Sequence, residues 1–317
     1  MLLKAADDKS KDIETLQGLM THPAITADVK RKIEQEIRFI HSGVKGERDA
    51  AYEIEFHYRS KNWAIIHDLR IQHNGRVAQI DHILVNRFLQ IWVCESKRFS
   101  EGIAINEHGE CTAFYGNKPY GVPSPFEQNH KHCDVLRDVL SGGAVELPTR
   151  LGFAIKPEIK SLILVSKNSR ISRPKANLAG LDEILKVDQL ETRLSKDFDK
   201  DYSALSLAKL ISTDTLETFA RRLTSLHTPI TFDWHAKFGL PKATASTAPT
   251  TLQPAPVQMP VAEVAVEDKG EPEKKSKLVC SSCGVGVEYP VAKFCWGNRA
   301  RFGGKVYCRS CQAQVRR

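Results

Sequence analysis

The sequence predicts a mixed α/β fold, a central sheet flanked by helices, with a small separate module at its C-terminal end. Three observations predict it. Between residues 46 and 166 the hydropathy pattern runs helix, three strands, helix, strand. From Pro241 to Lys277 the composition turns to proline, alanine and threonine and then to charge, which divides the chain. The stretch that follows, 278–317, carries two Cys-x-x-Cys pairs.

At 317 residues the chain exceeds the usual single-domain size, so one sizeable core plus an accessory piece is expected. Its formal charge of +8 points to a polyanionic partner, although surface solubility explains the same balance. The opening residues Met1–Asp8 lack the apolar core of a secretory signal, and no run of about 18 apolar residues occurs, so a soluble, cytoplasmic protein without a membrane partner is expected. Cys94, Cys111 and Cys133 are scattered while five cysteines crowd between 280 and 311, which suits metal ligands better than a secreted disulfide framework.

Residues 1–43 read as an N-terminal helical arm, helical over 7–43 with Ile33, Ile37 and Ile40 on one face, and a second helix is expected to open near Gly46. Strands follow at 63–71, 76–85 and 89–97, separated by turn-like His73-Asn74-Gly75 and Asn86-Arg87, with a weaker strand at 111–115. A helix is expected over 126–140, a buried strand at the apolar run 161–166, and a further strand and helices between 181 and 226. Together 44–240 read as the α/β domain. The segment 241–277 contains six prolines and reads as a disordered tether, its ends about 30 to 40 Å apart as a flexible coil.

The chemistry concentrates on two adjacent strands. Side chains alternate across a strand, so Glu95 and Lys97 share a face. A tight turn near Arg87 pairs residues whose numbers sum to about 174 to 176, which sets Asp81 beside Glu95. Both strands are apolar on both faces, so they are expected to be central. Two carboxylates side by side there are costly unless a cation joins them, and Mg²⁺ or Mn²⁺ suits a pair of acids that leaves positions for water and a phosphate. Lys97 is placed to hold an attacking water or balance phosphate charge. Glu47 lies on the buried stripe 47, 51, 54, 58 of its helix. Gln128 and His132 share a stripe with Val135 and Val139; Gln128 is able to hydrogen-bond the lysine, a water or substrate, and His132 either does likewise or is a satisfied core histidine, the reading favoured for a lone histidine. A plain buried salt bridge is the competing account of the Asp-Glu-Lys cluster, since this spacing is frequent by chance.

Several words of this stretch act together: Gly46-Glu47, Asp68-Leu69, Gln79-Ile80-Asp81-His82-Ile83-Leu84-Val85, Val93-Cys94-Glu95-Ser96-Lys97 and Pro125-Phe126-Glu127-Gln128. In this combination residues 46–140 resemble the nuclease-related domain (NERD) family, which is similar to PD-(D/E)xK nucleases. The resemblance implies a restriction-endonuclease-like sheet, Asp81 and Glu95 as ligands of Mg²⁺ or Mn²⁺, Lys97 as catalytic lysine, Glu47 as the helix-borne acid and Gln128 as a supporting residue.

Cys280, Cys283, Cys308 and Cys311 supply four thiolates in two knuckles, which suits tetrahedral Zn²⁺. A redox pair is the rival, but it needs a thioredoxin-like βαβ pattern that is not present. Cys295 is left as a spare thiol or a substitute ligand. So small a module depends on metal for its fold. Seven Lys/Arg against Glu288 give it +6 (7 − 1), and with Phe294, Trp296, Phe302 and Tyr307 they suit phosphates and exposed bases, while two or more of these aromatics are expected to form the module's own core. The words Phe302-Gly303-Gly304-Lys305 and Tyr307-Cys308 resemble zinc fingers attached to other NERD proteins.

The expectation is therefore a metal-dependent nuclease or DNA-processing protein, with DNA favoured over RNA and a zinc module aiding retention on nucleic acid. A nucleic-acid-binding protein with a vestigial nuclease fold, or an adaptor that recruits a protein through its zinc module, are the alternatives.

Overall fold

A computed structural model describes residues 1–150, 152–201, 207–241, 279–283, 285–287 and 289–312. The chain divides into two compact units, Met1–Ala262 and Glu263–Arg317. All but the first residue of the expected tether lies outside the described residues.

In the first unit a six-stranded mixed sheet forms the centre, in the order β1 (Leu2–Lys4), β2 (Trp63–His73), β3 (Arg76–Asn86), β4 (Gln90–Lys97), β10 (Glu158–Val165) and β12 (Ile184–Lys186). The expected strands fall within a few residues of these bounds, and β3 and β4 are central. The β2–β3 hairpin closes through Asn74 (φ 49°) and Gly75 (φ 74°), the consecutive left-handed residues that a two-residue turn requires. Between β3 and β4 the pairs His82↔Cys94, Ile83↔Val93, Leu84↔Trp92 and Val85↔Ile91 sum to 176, the upper end of the expected register.

Helices cover both faces of this sheet. On one, α2 (Ala27–Tyr58) and α4 (Leu190–Asp201) close a core of Ala50, Ile54, Ile65, Leu84, Trp92, Cys94 and Leu194. On the other, α3 (Pro125–Ser141) and α5 (Thr213–Thr224) pack Leu136, Val139, Phe219 and Leu223 against Ile83, Ile91 and Val93. Pro125 begins α3 behind Ser124, whose Oγ accepts from the Glu127 amide at 3.3 Å. Cys94, Cys111 and Cys133 are all buried in these layers or in the neighbouring sheet.

That neighbouring sheet is larger than expected. Only β6 (Cys111–Tyr115) was anticipated, yet it is joined by β5 (Gly102–Ile105), β7 (Lys118–Val122) and β11 (Arg170–Ser172). These strands are three to five residues long, and β7 is exposed through most of its length, so they carry little hydrophobic periodicity. The remaining strands, β8 (Thr149–Arg150) and β9 (Phe153–Ala154), pair as a separate two-stranded sheet.

The helix expected to open at Gly46 does not. Instead α2 is continuous over 32 residues, capped at Thr26, and the break expected between 43 and 44 falls inside it. Each internal glycine costs about 1 kcal/mol of helix propensity. Packing along the whole helix outweighs that: Ile54 and Tyr58 lie on the sheet, while Ile33 joins Leu16 and Leu19 of α1 (Ser10–Leu19) and Trp234 of α6 (Trp234–Lys237) in a second small core. Gly46 also admits the Arg98 side chain, whose Cβ would lie 3.2 Å from an added methyl. The N-terminal arm is further tied in by β1, which pairs in parallel with β2.

The second unit contains α7 (Tyr289–Gly297), α8 (Arg299–Phe302) and α9 (Arg309–Gln312), with an isolated bridge between Val279 and Gly286. Its buried residues include Cys280, Ala292, Cys295, Phe302, Val306 and Cys311. Of the four aromatics Phe302 is buried and Tyr307, half-buried, packs on it with ring centroids 5.8 Å apart, while Phe294 and Trp296 are the more exposed pair.

Candidate active site

The acids converge where the central strands change faces. On β2, Ala64 and Ile66 enter the same core as Leu69 and Ile71, and on β3 Ile80 does so with Ile83. Strict alternation forbids both. The break lies at Asp68, whose φ of 51° resets the alternation in β2, and across the ladder at Asp81, between the pairs His67↔His82 and Leu69↔Ile80. Aspartate tolerates this left-handed conformation better than most residues, and such strain tends to cluster at functional sites.

Glu95, next after the Cys94 pair, faces Asp81 in this register and is 3% exposed. Its Oε1 accepts from Lys97 Nζ at 2.8 Å and from Gln128 Nε2 at 2.8 Å, while Gln128 Oε1 accepts from Lys97 Nζ at 2.9 Å. The glutamine of α3 thus forks between the acid and the lysine of β4. Asp81 Oδ2 accepts the main-chain N–H of Ser96 at 2.7 Å. His132, one turn beyond Gln128, sets Nδ1 3.4 Å from Glu95 Oε2, and neither atom has a hydrogen-bond partner. It is therefore not the satisfied core histidine expected but a site-facing one.

Glu47 stands in the middle of α2 rather than at a helix head, so the helix N-terminal dipole does not act on it. Burial raises its pKa, with Asp68 and then Glu95 adding to the rise and Lys9 and Lys97 opposing it. Burial, then the carboxylates of Glu95 and Glu47, push Asp81 well above the ordinary range against Lys97 and the Ser96 amide. Glu95 is raised by burial but lowered more by His132 and Lys97, so it lies below the ordinary value. Lys97, lowered by burial, is raised more by Glu95, Asp81 and Glu47 and stays protonated. It is a charged donor here, not a base.

In the sequence Asp68 stands out only within the word Asp68-Leu69. It is buried, accepts from Gln79 Nε2 at 3.1 Å and from the Asp7 amide at 3.2 Å, and pairs with Lys9 at 3.5 Å. The polar pair His67-Asp68 between the apolar run Ala64-Ile65-Ile66 and Leu69 is the available signal. Lys9 had none, because its contact spans 59 residues of chain.

On the opposite face of the same strands lie His67 and His82, 2% and 1% exposed. Their Nδ1 atoms are 2.8 Å apart, and His82 Nε2 is 2.7 Å from Ser96 Oγ. Burial lowers the pKa of both, most strongly for His82.

In the second unit Cys280, Cys283, Cys308 and Cys311 bring their sulfurs within 4.8 Å of one another. The Cys283 and Cys308 sulfurs are 3.7 Å apart, against an edge of about 3.8 Å for a tetrahedron with 2.3 Å Zn–S bonds. The donor set fits zinc. Cys295 stands outside it: its sulfur accepts from the Tyr307 amide at 3.3 Å and from Gln312 Nε2 at 3.2 Å, a structural role that decides between the two alternatives left open for it. Among the described residues these four cysteines are the one group of three or more metal-ligating side chains around a common point; no third acid joins Asp81 and Glu95 in that way.

Residues 42–166 match the family model of the nuclease-related domain, NERD. No curated protein and no solved structure matches the chain. The matched span contains Glu47, Asp81, Glu95, Lys97 and Gln128, and it ends with β10, the parallel neighbour of β4. No helix among the described residues is long and apolar enough to cross a membrane.

Proposed function

We propose that the first unit is a divalent-cation-dependent phosphodiesterase acting on nucleic acid, DNA being the substrate to test first, and that the cysteine module holds Zn²⁺ structurally and assists nucleic-acid binding. The observation that carries this reading is the Asp81–Glu95–Lys97–Gln128 arrangement, in which a buried carboxylate oxygen, Glu95 Oε2, makes no hydrogen bond and faces only the His132 ring nitrogen at 3.4 Å. An ionised oxygen left so is costly, and a cation would satisfy it.

Asp81 and Glu95 would hold Mg²⁺ or Mn²⁺, a pair of acids being what such an ion takes when it keeps waters and a substrate phosphate. Bound there, the ion would polarise a phosphate oxygen and favour ionisation of a water. Lys97 has three donors and commits two of them to Glu95 and Gln128, so the third is free for a phosphate oxygen or a water. Gln128 keeps the amine and Glu95 in register. Glu47, with its raised affinity for a proton, is placed to take one from a water.

The same Lys97–Glu95 bridge favours a second reading, binding without cleavage, because it neutralises Glu95 from within. Cleavage of labelled single-stranded, duplex and branched DNA in Mg²⁺ or Mn²⁺ separates the two. The proposal expects cutting by the wild type and loss of at least a hundredfold in Lys97→Ala, on the order of a removed electrostatic stabiliser, with folding and binding kept. Cutting by neither protein, with salt-sensitive binding intact, selects the second reading.

A further inference from the structure

Two imidazoles and a serine hydroxyl make a continuous hydrogen-bonded chain on the face of the sheet turned away from the acids. His67 of β2, His82 of β3 and Ser96 of β4 are side by side, and Glu55 of α2 lies at the outer end with Oε1 3.5 Å from His67 Nε2. Their surroundings are Ile65, Leu84, Trp92 and Cys94, a layer in which aliphatic side chains would fill the same space at lower cost. Holding the sheet together does not require them. At its inner end the chain reaches the site, since Ser96 is the residue between Glu95 and Lys97 and its main-chain N–H holds Asp81.

The hydrogens can be assigned. A 2.8 Å contact between two Nδ1 atoms contains one hydrogen, so one ring donates and the other accepts. If His67 donated, its Nε2 would turn a bare lone pair toward the Glu55 carboxylate. If His82 donates from Nδ1, His67 carries its hydrogen on Nε2, facing that carboxylate, and His82 Nε2 accepts from the Ser96 hydroxyl. The second arrangement opposes no acceptor to an acceptor.

We infer that Glu55, His67, His82 and Ser96 are positioning residues that orient Asp81 from behind the sheet, an inference that rests on the cation-dependent reading above. Ser96 is held in the sheet opposite Leu164 of β10 and is tied to β3 twice, by its hydroxyl to His82 and by its amide to Asp81. The β3 ladder ends at the His82↔Cys94 pair, so loss of the hydroxyl bond removes one of the two ties that set this part of β4 against β3 and leaves the amide that holds Asp81 less firmly placed. Partners of this kind behind metal ligands typically carry 10- to 100-fold in metal affinity.

The test is Mn²⁺ binding to the zinc-saturated full chain, by calorimetry, for the wild type, Ser96→Ala and Ser96→Thr, with thermal unfolding of each and ¹⁵N spectra of the wild-type imidazoles. Expected are about tenfold weaker binding in Ser96→Ala with cooperative unfolding kept and its midpoint lowered by only a few degrees, recovery in Ser96→Thr, and His82 hydrogenated on Nδ1. Equal affinity in wild type and Ser96→Ala, or an Nε2–H tautomer for His82, overturns the inference. A wild type that binds no Mn²⁺ overturns the cation-dependent reading itself and removes the inferred role with it.

Discussion

The acid cluster of the first unit and the cysteine cluster of the second both gather metal-ligating side chains, by opposite means. Asp81 and Glu95 stand on central strands backed by two helical layers, so packing puts them together whatever they cost each other. The four thiols stand on short loops and helices of four to nine residues, where few apolar side chains among the described residues are buried. On the proposed function the fold holds the ligands in the first case, and in the second the ligands and their metal would hold the fold. This contrast predicts different consequences of losing a ligand or an ion at the two places.

The largest effect belongs to the second unit. Stripping the ion with a strong chelator removes on the order of 10 kcal/mol of folding free energy. Limited proteolysis should then destroy the module and spare a fragment containing the first unit, and elemental analysis before treatment should find one zinc per chain. A module that resists protease in chelator would erase the contrast.

Within the first unit, Trp92→Ala tests whether packing carries the stability. The side chain is fully buried and its indole donates to Asp197 at 3.2 Å, so a loss of about 3 to 5 kcal/mol is expected in denaturant unfolding. A loss below about 1 kcal/mol would mean that this face is not the scaffold it is taken for.

Asp81→Asn sharpens the comparison in sign. Removing one of two facing carboxylates should stabilise the cation-free protein by about 1 kcal/mol, a rise of about 2 to 4 °C in melting temperature, and should abolish any stabilisation by Mn²⁺. Cys308→Ser, the matching loss of a ligand in the second unit, should unfold its module. The same sign at both places would show that the acids, too, are held by a bound ion.

Gly43→Ala gives the smallest effect. The position is exposed within the continuous α2, and an added methyl meets nothing nearer than Glu47 Oε1 at 3.8 Å. A gain of about 0.5 to 1 kcal/mol follows from helix propensity, and a loss in thermal unfolding would mean that the helix breaks there after all.

Much of the sheet was legible because its strands are long and bounded by turns of plain chemistry: Asn74-Gly75 must close a hairpin, and the register from Asn86-Arg87 then brings Asp81 to Glu95. The Gln128 fork was foreshadowed by a polar residue at the start of an apolar stripe. The helix boundary at Gly46 was misread because local propensity marks glycine as a breaker while the packing that overrides it comes from residues as distant as Trp234. Strands β1, β5, β7 and β11 were missed for the same reason: each is too short to show a period and exists through its partner. His132 looked like a core residue because periodicity reports which face is covered, not what a ring nitrogen meets there.

By itself the sequence determined the α/β class, the separate cysteine module with its four-thiolate set, and the pairing of Asp81 with Glu95 and Lys97, since alternation, turn chemistry and Cys-x-x-Cys spacing are local properties of a chain. Only the tertiary structure decided that α2 runs unbroken past Glu47, that Asp68 and Lys9 join the acids, that Cys295 is not a ligand, and that two buried histidines stand behind Ser96. Each of these depends on contacts between residues far apart in sequence, whose energies enter only when the layers close on one another and water leaves.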